Sequence, residues 1–169
     1  MSSPAAGGEL RLAPTVWPAL DTIHPELKFY DHWVVWRYEL RNGKPTKVPY
    51  NALEGYQASS TDSRTWTGFD RAVAKYVNNS YAGVGFVLSS GDPFTVIDLD
   101  DCRNPESGEL SELARKLVEH FASYTEVSPS GTGVHIVVRG KVPRSRNDQG
   151  RGLEVYSERR FITVTGVAP

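Results

Sequence analysis

The sequence predicts an α+β domain in which a mixed or antiparallel central sheet is flanked by a few helices. Short apolar segments typical of strands outnumber the two segments in which apolar residues recur at helical spacing. Several of these strand-like segments follow one another without an intervening helix, which favours hairpins over a doubly wound parallel sheet. A chain of 169 residues is long enough for one domain with a real hydrophobic core.

The N-terminal residues are predicted to lie outside that core. Residues 1–18 are rich in Ser, Pro, Ala and Gly and show no hydrophobic periodicity. Such a composition buries too little apolar surface to offset the entropy of ordering the chain. We therefore predict a flexible tail over residues 1–25 and a single core over residues 26–169, which we expect to be a part of a longer protein.

The first elements of the core are predicted to be a hairpin and a helix. Trp33–Tyr38 is strand-like, and Asn42-Gly43 is a strong signal for a tight hairpin turn before a returning strand at Thr46–Tyr50. Apolar residues at helical spacing predict an amphipathic helix over 67–77. A second helix is predicted from Leu110 to Phe121, with acidic residues near its start, where the helix dipole favours them.

Six further strands are predicted in the remainder of the chain. They alternate apolar and polar residues or form short apolar runs bounded by turn residues. Between the fourth and the fifth, Lys141 to Gly150 is predicted to be a mobile basic arm. The predicted strands are Gly83–Leu88, Phe94–Asp100, Tyr124–Ser128, Val134–Arg139, Leu153–Ser157 and Phe161–Thr165.

Asp98 and Asp100 are the most informative residues of the chain. They end a buried strand at spacing i, i+2, so both side chains project from one face of the sheet. Two like charges so placed repel each other, and a divalent cation removes that conflict. Mg²⁺ binds one or two carboxylates and completes its shell with water and phosphate oxygens. The pair indicates metal-dependent phosphate chemistry, although an isolated Asp-x-Asp also occurs in turns and caps.

Three other features join the aspartates. The glycine-rich turn Ser128–Gly133 lets backbone N–H groups approach an anion, and Ser130 and His135 add side-chain donors. Glu154 is a carboxylate in a short strand whose neighbours face the other way. Arg159-Arg160 opens the last strand, and basic residues beside a metal suit a triphosphate. Each feature alone has an ordinary structural explanation, as a turn, a surface charge or a packed histidine.

Overall charge excludes a polycationic nucleic-acid binder, because the formal net charge is -1. The segment Arg139 to Arg160 nevertheless holds seven basic and three acidic residues, which predicts a local contact with a phosphate backbone. One cysteine excludes a disulfide within the chain and a cysteine-based zinc site, and fits a reducing cytoplasm. No apolar run approaches the length needed to span a membrane.

Taken together, these motifs resemble the three-motif signature of the archaeo-eukaryotic primase superfamily. The resemblance is to the primase-polymerase domains at the N-termini of phage and plasmid replication proteins, and it covers roughly residues 33–166. Asp98-Leu99-Asp100 matches the first motif, Ser130 to His135 the second, and Glu154 the third. The fold that this resemblance implies is an RRM-like catalytic unit preceded by an N-terminal α/β unit.

The resemblance also implies roles for single residues. Asp98, Asp100 and Glu154 would be catalytic and would hold two Mg²⁺ or Mn²⁺ ions, with no zinc. Ser130, Gly131, Gly133, His135 and Arg160 would bind the incoming NTP or dNTP. The candidates for DNA contact are Lys44, Lys47, Arg144 and Arg146.

The predicted function is that of a template-dependent DNA primase or polymerase acting on single-stranded or primed DNA. The resemblance further implies a fused or partner helicase, no membrane association, and a location in the cytoplasm of a bacterial, archaeal or phage-infected cell. Two alternatives stay open. A metal-dependent nuclease uses the same carboxylates, and a non-catalytic single-stranded-DNA-binding module would use the aromatic residues for stacking on bases.

Overall fold

The strands of the domain are arranged in two antiparallel sheets, which the computed structural model describes for residues 12–78 and 80–169. The first sheet has the order β2-β1-β3-β9 and the second the order β5-β6-β4-β8-β7. The strands are β1 Trp33–Arg41, β2 Lys44–Tyr50, β3 Gly83–Leu88, β4 Phe94–Leu99, β5 Thr125–Val127, β6 Val134–Arg139, β7 Arg146–Asp148, β8 Leu153–Tyr156 and β9 Arg160–Val164. This arrangement confirms the predicted α+β class.

Two α-helices accompany the sheets, α1 over Phe69–Asn78 and α2 over Glu112–Phe121. The start of α2 lies two residues later than Leu110, because the Ser111 hydroxyl accepts a hydrogen bond from the Ala114 N–H at 3.2 Å and caps the helix. Ala122 ends it in the left-handed conformation. Single-turn 3₁₀ segments lie at Leu20–Thr22, Pro25–Phe29, Ser63–Thr65 and Gln149–Arg151. Of the described helices, none has the length and apolar character to cross a membrane.

The hairpin between β1 and β2 forms as the Asn-Gly pair predicts. Asn42 and Gly43 both have positive φ, at 50° and 72°, which is the backbone of a tight turn matched to the strand twist. Arg41 is then paired with Lys44, and the ladder continues to Val35 opposite Tyr50.

The main hydrophobic core joins the two sheets face to face. Residues of the first sheet and of α1 pack against residues of β4 and β6 in one buried cluster, which includes Trp33, Val35, Ala72, Phe86, Phe94, Val96 and Val137. A second cluster fills the opposite side of the second sheet, where Ile97, Leu99 and Ile136 pack against Ala114 and Leu117 of α2. The second sheet is therefore covered on both faces over part of its area.

Residues 12–25 do not form the tail that the composition predicts; residues 1–11 lie outside the described residues. The Thr15 and Val16 N–H groups donate to the Pro129 carbonyl at 2.8 and 2.9 Å, and the Ala19 N–H donates to the Thr165 carbonyl at 2.7 Å. Ile23 is buried in the main core. The prediction was wrong here because one buried isoleucine and a few backbone hydrogen bonds leave no periodic pattern in the sequence.

The basic segment from Lys141 to Gly150 contains a strand that the sequence did not predict. Arg146–Asp148 forms β7 at the edge of the second sheet, paired with β8. All three of its residues are exposed, so the segment lacks the apolar alternation that marks a half-buried strand. Lys141 is held as well, because its ammonium donates to the carbonyls of Ser89 and Ser157.

Candidate active site

A single row of polar side chains crosses all five strands of the second sheet. Residues that lie directly opposite in antiparallel strands face the same side of the sheet. Asp98 on β4 is opposite His135 on β6 and Glu154 on β8. Glu126 on β5 and Asn147 on β7 extend the line to both edges. We call these five residues the polar row.

The position of the polar row follows from the pleat of the strands. Two residues earlier on β4, the same face carries Val96, which is opposite Val137 and Tyr156. Those side chains belong to the main core or pack against it. Two residues further along the strands, carboxylates and an imidazole take the place of the apolar side chains, although Glu126 and His135 are still buried.

Asp98 and Asp100 lie together as the i, i+2 spacing predicts. The Asp100 N–H donates to the Gly152 carbonyl at 2.8 Å, which continues the pairing of β4 with β8. Burial of its carboxyl raises the pKa of Asp100, and the negative charges of Asp98 and Glu154 raise it further. This concentration of negative charge and its hard oxygen donors suit Mg²⁺ or Mn²⁺, because a bound cation relieves the repulsion.

Glu154 faces the same side of the sheet, and both of its carboxylate oxygens contact other side chains. Its Oε1 accepts a hydrogen bond from Asn147 Nδ2 at 2.8 Å, and its Oε2 accepts one from the Tyr156 hydroxyl and lies 3.5 Å from Arg160 Nη2. Burial, together with this hydrogen bond, raises the pKa of Tyr156 to about 12. Within residues 12–78 and 80–169, no three His, Cys, Asp or Glu side chains are grouped as a metal site.

An open cleft of about 800 Å³ runs between the two sheets beside the polar row. Asp98 and His135 line it from the second sheet, and Lys47 on β2 and Arg160 on β9 line it from the first. Partial burial lowers the pKa of Lys47, and the charges of Asp98 and Asp100 oppose that change. The cleft therefore brings the Asp98 carboxylate together with the cations of Lys47 and Arg160, and cations of this kind suit a triphosphate.

Asp98 and His135 are the two members of the polar row that line the cleft, and His135 is the more buried of them, with 4% of its surface exposed. Its Nδ1 lies 3.1 Å from Glu126 Oε1 and its Nε2 lies 3.7 Å from Asp98 Oδ1. Burial alone would lower the pKa of His135. The hydrogen bond to Glu126 and the charge of Asp98 outweigh that effect and raise the pKa.

The glycine-rich turn closes mainly on itself. Ser128 Oγ accepts a hydrogen bond from the Gly133 N–H at 3.1 Å and lies 2.9 Å from Ser130 Oγ. Gly131 has φ +81°, and its carbonyl accepts a hydrogen bond from Arg103 Nη1 at 3.0 Å. Among the described residues that line the cleft, none comes from this turn. The turn thus sets the path of the chain into β6, which carries His135.

Gly133 shows how closely the turn fits the end of β4. A Cβ atom at this position would lie 2.7 Å from the Leu99 carbonyl oxygen and 3.0 Å from Ser128 Oγ. We expect Gly133→Ala to reduce the free energy of unfolding by about 1–3 kcal/mol, because the nearest atom belongs to the backbone and the overpacking cannot relax cheaply. Chemical denaturation measures this loss. Gly150→Ala is the matched control, because its φ lies outside the left-handed region and a Cβ atom there would meet only Asp148 Oδ1, at an ordinary contact distance of 3.5 Å. A loss for Gly133→Ala no larger than that of the control would contradict the prediction.

The four candidates for DNA contact lie in different places. Lys47 lines the cleft, and Lys44 is at the exposed start of β2. Arg144 precedes β7 in the exposed basic segment. Arg146 is opposite Val155, so it faces the side of the second sheet away from Asp98 and Glu154.

Two members of the polar row, Glu126 and Asn147, were not among the predicted site residues. Glu126 has a signal in the sequence, namely an acidic residue inside an otherwise apolar or β-branched segment, Tyr124 to Val127. Asn147 has none, because the strand that carries it is too polar to predict. Glu126 and Asn147 join the polar row through the register between distant strands, which no local sequence pattern predicts.

Comparison with known proteins agrees with the motifs. No family model matches the chain. The sequence is 43% identical over 145 residues to the DNA Primase-polymerase of Nitratiruptor phage NrS-1, an alignment that covers 83% of this chain. The chain spans 20% of the length of that protein. The predicted resemblance is thereby confirmed, and the chain is a relative of a phage DNA primase-polymerase, matched over most of its own length to one segment of that protein.

Proposed function

We propose that this chain is the catalytic domain of a template-dependent DNA primase-polymerase, which transfers a nucleotidyl group from an NTP or dNTP to a 3′-hydroxyl. One observation carries the proposal. Asp98, with His135 and Glu154 directly beside it, lies on the wall of a cleft whose other wall carries Lys47 and Arg160. The named activity of the phage relative supports the same function.

Asp98 and Asp100 are the proposed first ligands of two Mg²⁺ or Mn²⁺ ions, with Glu154 as the third. Their oxygen donors fit such ions, and Glu154 would join them by exchanging its contacts with Tyr156 and Arg160. When bound, the ions lower the pKa of the attacking hydroxyl and neutralise charge on the triphosphate.

The remaining side chains of the cleft are proposed to position the nucleotide. Lys47 and Arg160 supply cations for the triphosphate, and Arg160 frees Nη2 once it leaves Glu154. When both of its ring nitrogens carry a proton, His135 donates from Nε2–H to a phosphate oxygen. Ser130 is proposed to contact the nucleotide through its exposed hydroxyl, and Gly131 and Gly133 are proposed to support this contact by shaping the turn that carries Ser130.

Single-stranded or primed DNA is the proposed second substrate. Lys44, Arg144 and Arg146 are exposed, so they can contact the phosphate backbone outside the cleft. A fused or partner helicase, implied by the family resemblance, would supply the single strand, and the host cytoplasm is the proposed site of action.

Primer extension tests the proposal directly. A labelled primer on a single-stranded DNA template is incubated with the protein, Mg²⁺ or Mn²⁺, and either NTPs or dNTPs. We expect template-directed, metal-dependent extension that a chelator stops. Shortening of the labelled strand would instead indicate a nuclease. Binding without a change in strand length would indicate a non-catalytic module.

A further inference from the structure

We infer that Glu126 is a positioning residue, which holds the His135 ring so that Nε2 is presented to the cleft. The inference rests on the proposed nucleotide site, because only there does the direction of Nε2 matter. Glu126 is not among the described residues that line the cleft. Its neighbour His135 does line the cleft, so Glu126 can act on the nucleotide site only through His135.

The Glu126 carboxylate is fixed from four sides. It is 1% exposed. Its Oε1 lies 3.1 Å from His135 Nδ1 and accepts from the Thr165 N–H at 3.2 Å. Its Oε2 accepts from the Gly166 N–H at 2.9 Å and from the Tyr124 hydroxyl at 2.7 Å. A carboxylate that receives four donors has no freedom to rotate.

This surrounding places a proton on Nδ1 of His135. The Glu126 carboxylate already accepts from two backbone N–H groups and from the Tyr124 hydroxyl, so it acts as an acceptor toward the ring as well, and His135 Nδ1 is the donor in their contact. Nε2 is then the nitrogen that faces Asp98 and the cleft. A flip of the ring would place carbon against Glu126 and leave a buried acceptor short of a donor, which is costly.

The same carboxylate joins the two walls of the cleft. Thr165 and Gly166 directly follow β9, the strand of the first sheet that starts with Arg160, whereas Glu126 and His135 belong to the second sheet. The Thr165 hydroxyl also donates to the Val127 carbonyl at 2.5 Å. Glu126 therefore fixes the position of the His135 ring relative to β9, the strand that carries Arg160.

Ring-nitrogen NMR shifts of isotope-labelled histidine test the geometry without any activity. His135 is assigned among the four histidines by its absence from His135→Ala. In the wild type we expect Nδ1 to show the shift of a protonated nitrogen. A bare Nδ1 with the proton on Nε2 would overturn the inference. This measurement needs no Glu126 variant, so it decides the point even if Glu126→Gln does not fold.

A double-mutant cycle tests the functional consequence. The affinity for a non-hydrolysable nucleoside triphosphate with Mg²⁺ is measured for wild type, Glu126→Gln, His135→Ala and the double variant. Loss of a carboxylate that orients a histidine typically costs roughly 10–100-fold, so we expect Glu126→Gln to weaken binding about 10-fold. In the His135→Ala background the same change should have no further effect.

Tyr124→Phe is the matched control, because it removes a donor from Oε2 and leaves the contact of Oε1 with His135 intact. We expect its affinity to stay within about twofold of the wild type. Equal weakening by Glu126→Gln with and without the imidazole would show a general structural effect and overturn the inference. If the wild type neither binds nucleotide nor extends primers, the proposed function fails, while the NMR shifts still decide the position of the ring.

Discussion

Replacing Asp98 and Asp100 together by Asn is expected to abolish metal-dependent primer extension, with a rate loss of at least about 10³-fold. Asn keeps the shape of both side chains but removes the charge that holds a divalent cation. The fold should tolerate the change. The pKa of Asp100 is raised by burial and by the charges of Asp98 and Glu154, so its ionised form is disfavoured in the folded protein. Thermal unfolding without metal should therefore occur at the same or a higher temperature.

Asp101→Asn is the control for this experiment. Asp101 is the next carboxylate along the chain, it is exposed, and its φ of 48° is a conformation that Asn adopts readily. We expect it to extend primers at nearly the wild-type rate. Mg²⁺ should raise the unfolding temperature of the wild type and of Asp101→Asn, but not that of the double variant. Extension by the double variant would remove these aspartates from the proposed chemistry.

Asp92→Ala is expected to lower the free energy of unfolding by about 3 kcal/mol, because it leaves buried donors without their acceptor. The Asp92 side chain is 0% exposed. It accepts hydrogen bonds from the backbone of Ser89 and Phe94 at 2.8 and 2.9 Å and from Lys141 Nζ at 3.1 Å, and it lies 3.3 Å from His32 Nδ1. Denaturant titration of both proteins at neutral pH measures the loss.

The difference between wild type and Asp92→Ala should depend on pH. Burial alone would raise the pKa of Asp92, but its hydrogen bonds with His32, Lys141 and the backbone outweigh that effect and lower the pKa. A carboxyl whose pKa is lowered by folding stabilises the fold at any pH above its pKa in the unfolded chain, which is about 4. This stabilisation is lost as the pH falls through the lower pKa of the folded protein. The two proteins should therefore converge in acid. A constant difference between pH 7 and pH 2 would show that packing, rather than charge, explains the loss.

Local features of the fold could be predicted from the sequence, and long-range pairing could not. The Asn42-Gly43 turn, the apolar strands and the two helices each follow from a pattern within a short window. Division of the strands between two sheets does not, because β9 leaves its sequence neighbours and pairs with β3. Edge strand β7 escaped prediction for a related reason, since its exposed residues carry no periodicity.

The same distinction between local patterns and long-range strand pairing applies to the candidate site. Spacing within β4 was enough to predict that Asp98 and Asp100 share a face. The positions of His135 and Glu154 opposite Asp98 depend on strand register. From the sequence, only the family resemblance assigned these three residues to one site. Glu126 has contacts on β6 and after β9, so three distant segments had to be placed before its surroundings could be seen.

The pairing of β9 with β3 has a consequence for how the protein is made. During synthesis the ribosome releases β1, β2 and β3 long before residues 160–164 emerge. Until then β3 presents an open edge of unpaired backbone groups along a wholly buried strand, an arrangement that favours association with other chains. The nascent chain is therefore expected to depend on chaperones up to its last strand. Slow translation of the segment between β3 and β9 should lower the yield of folded protein.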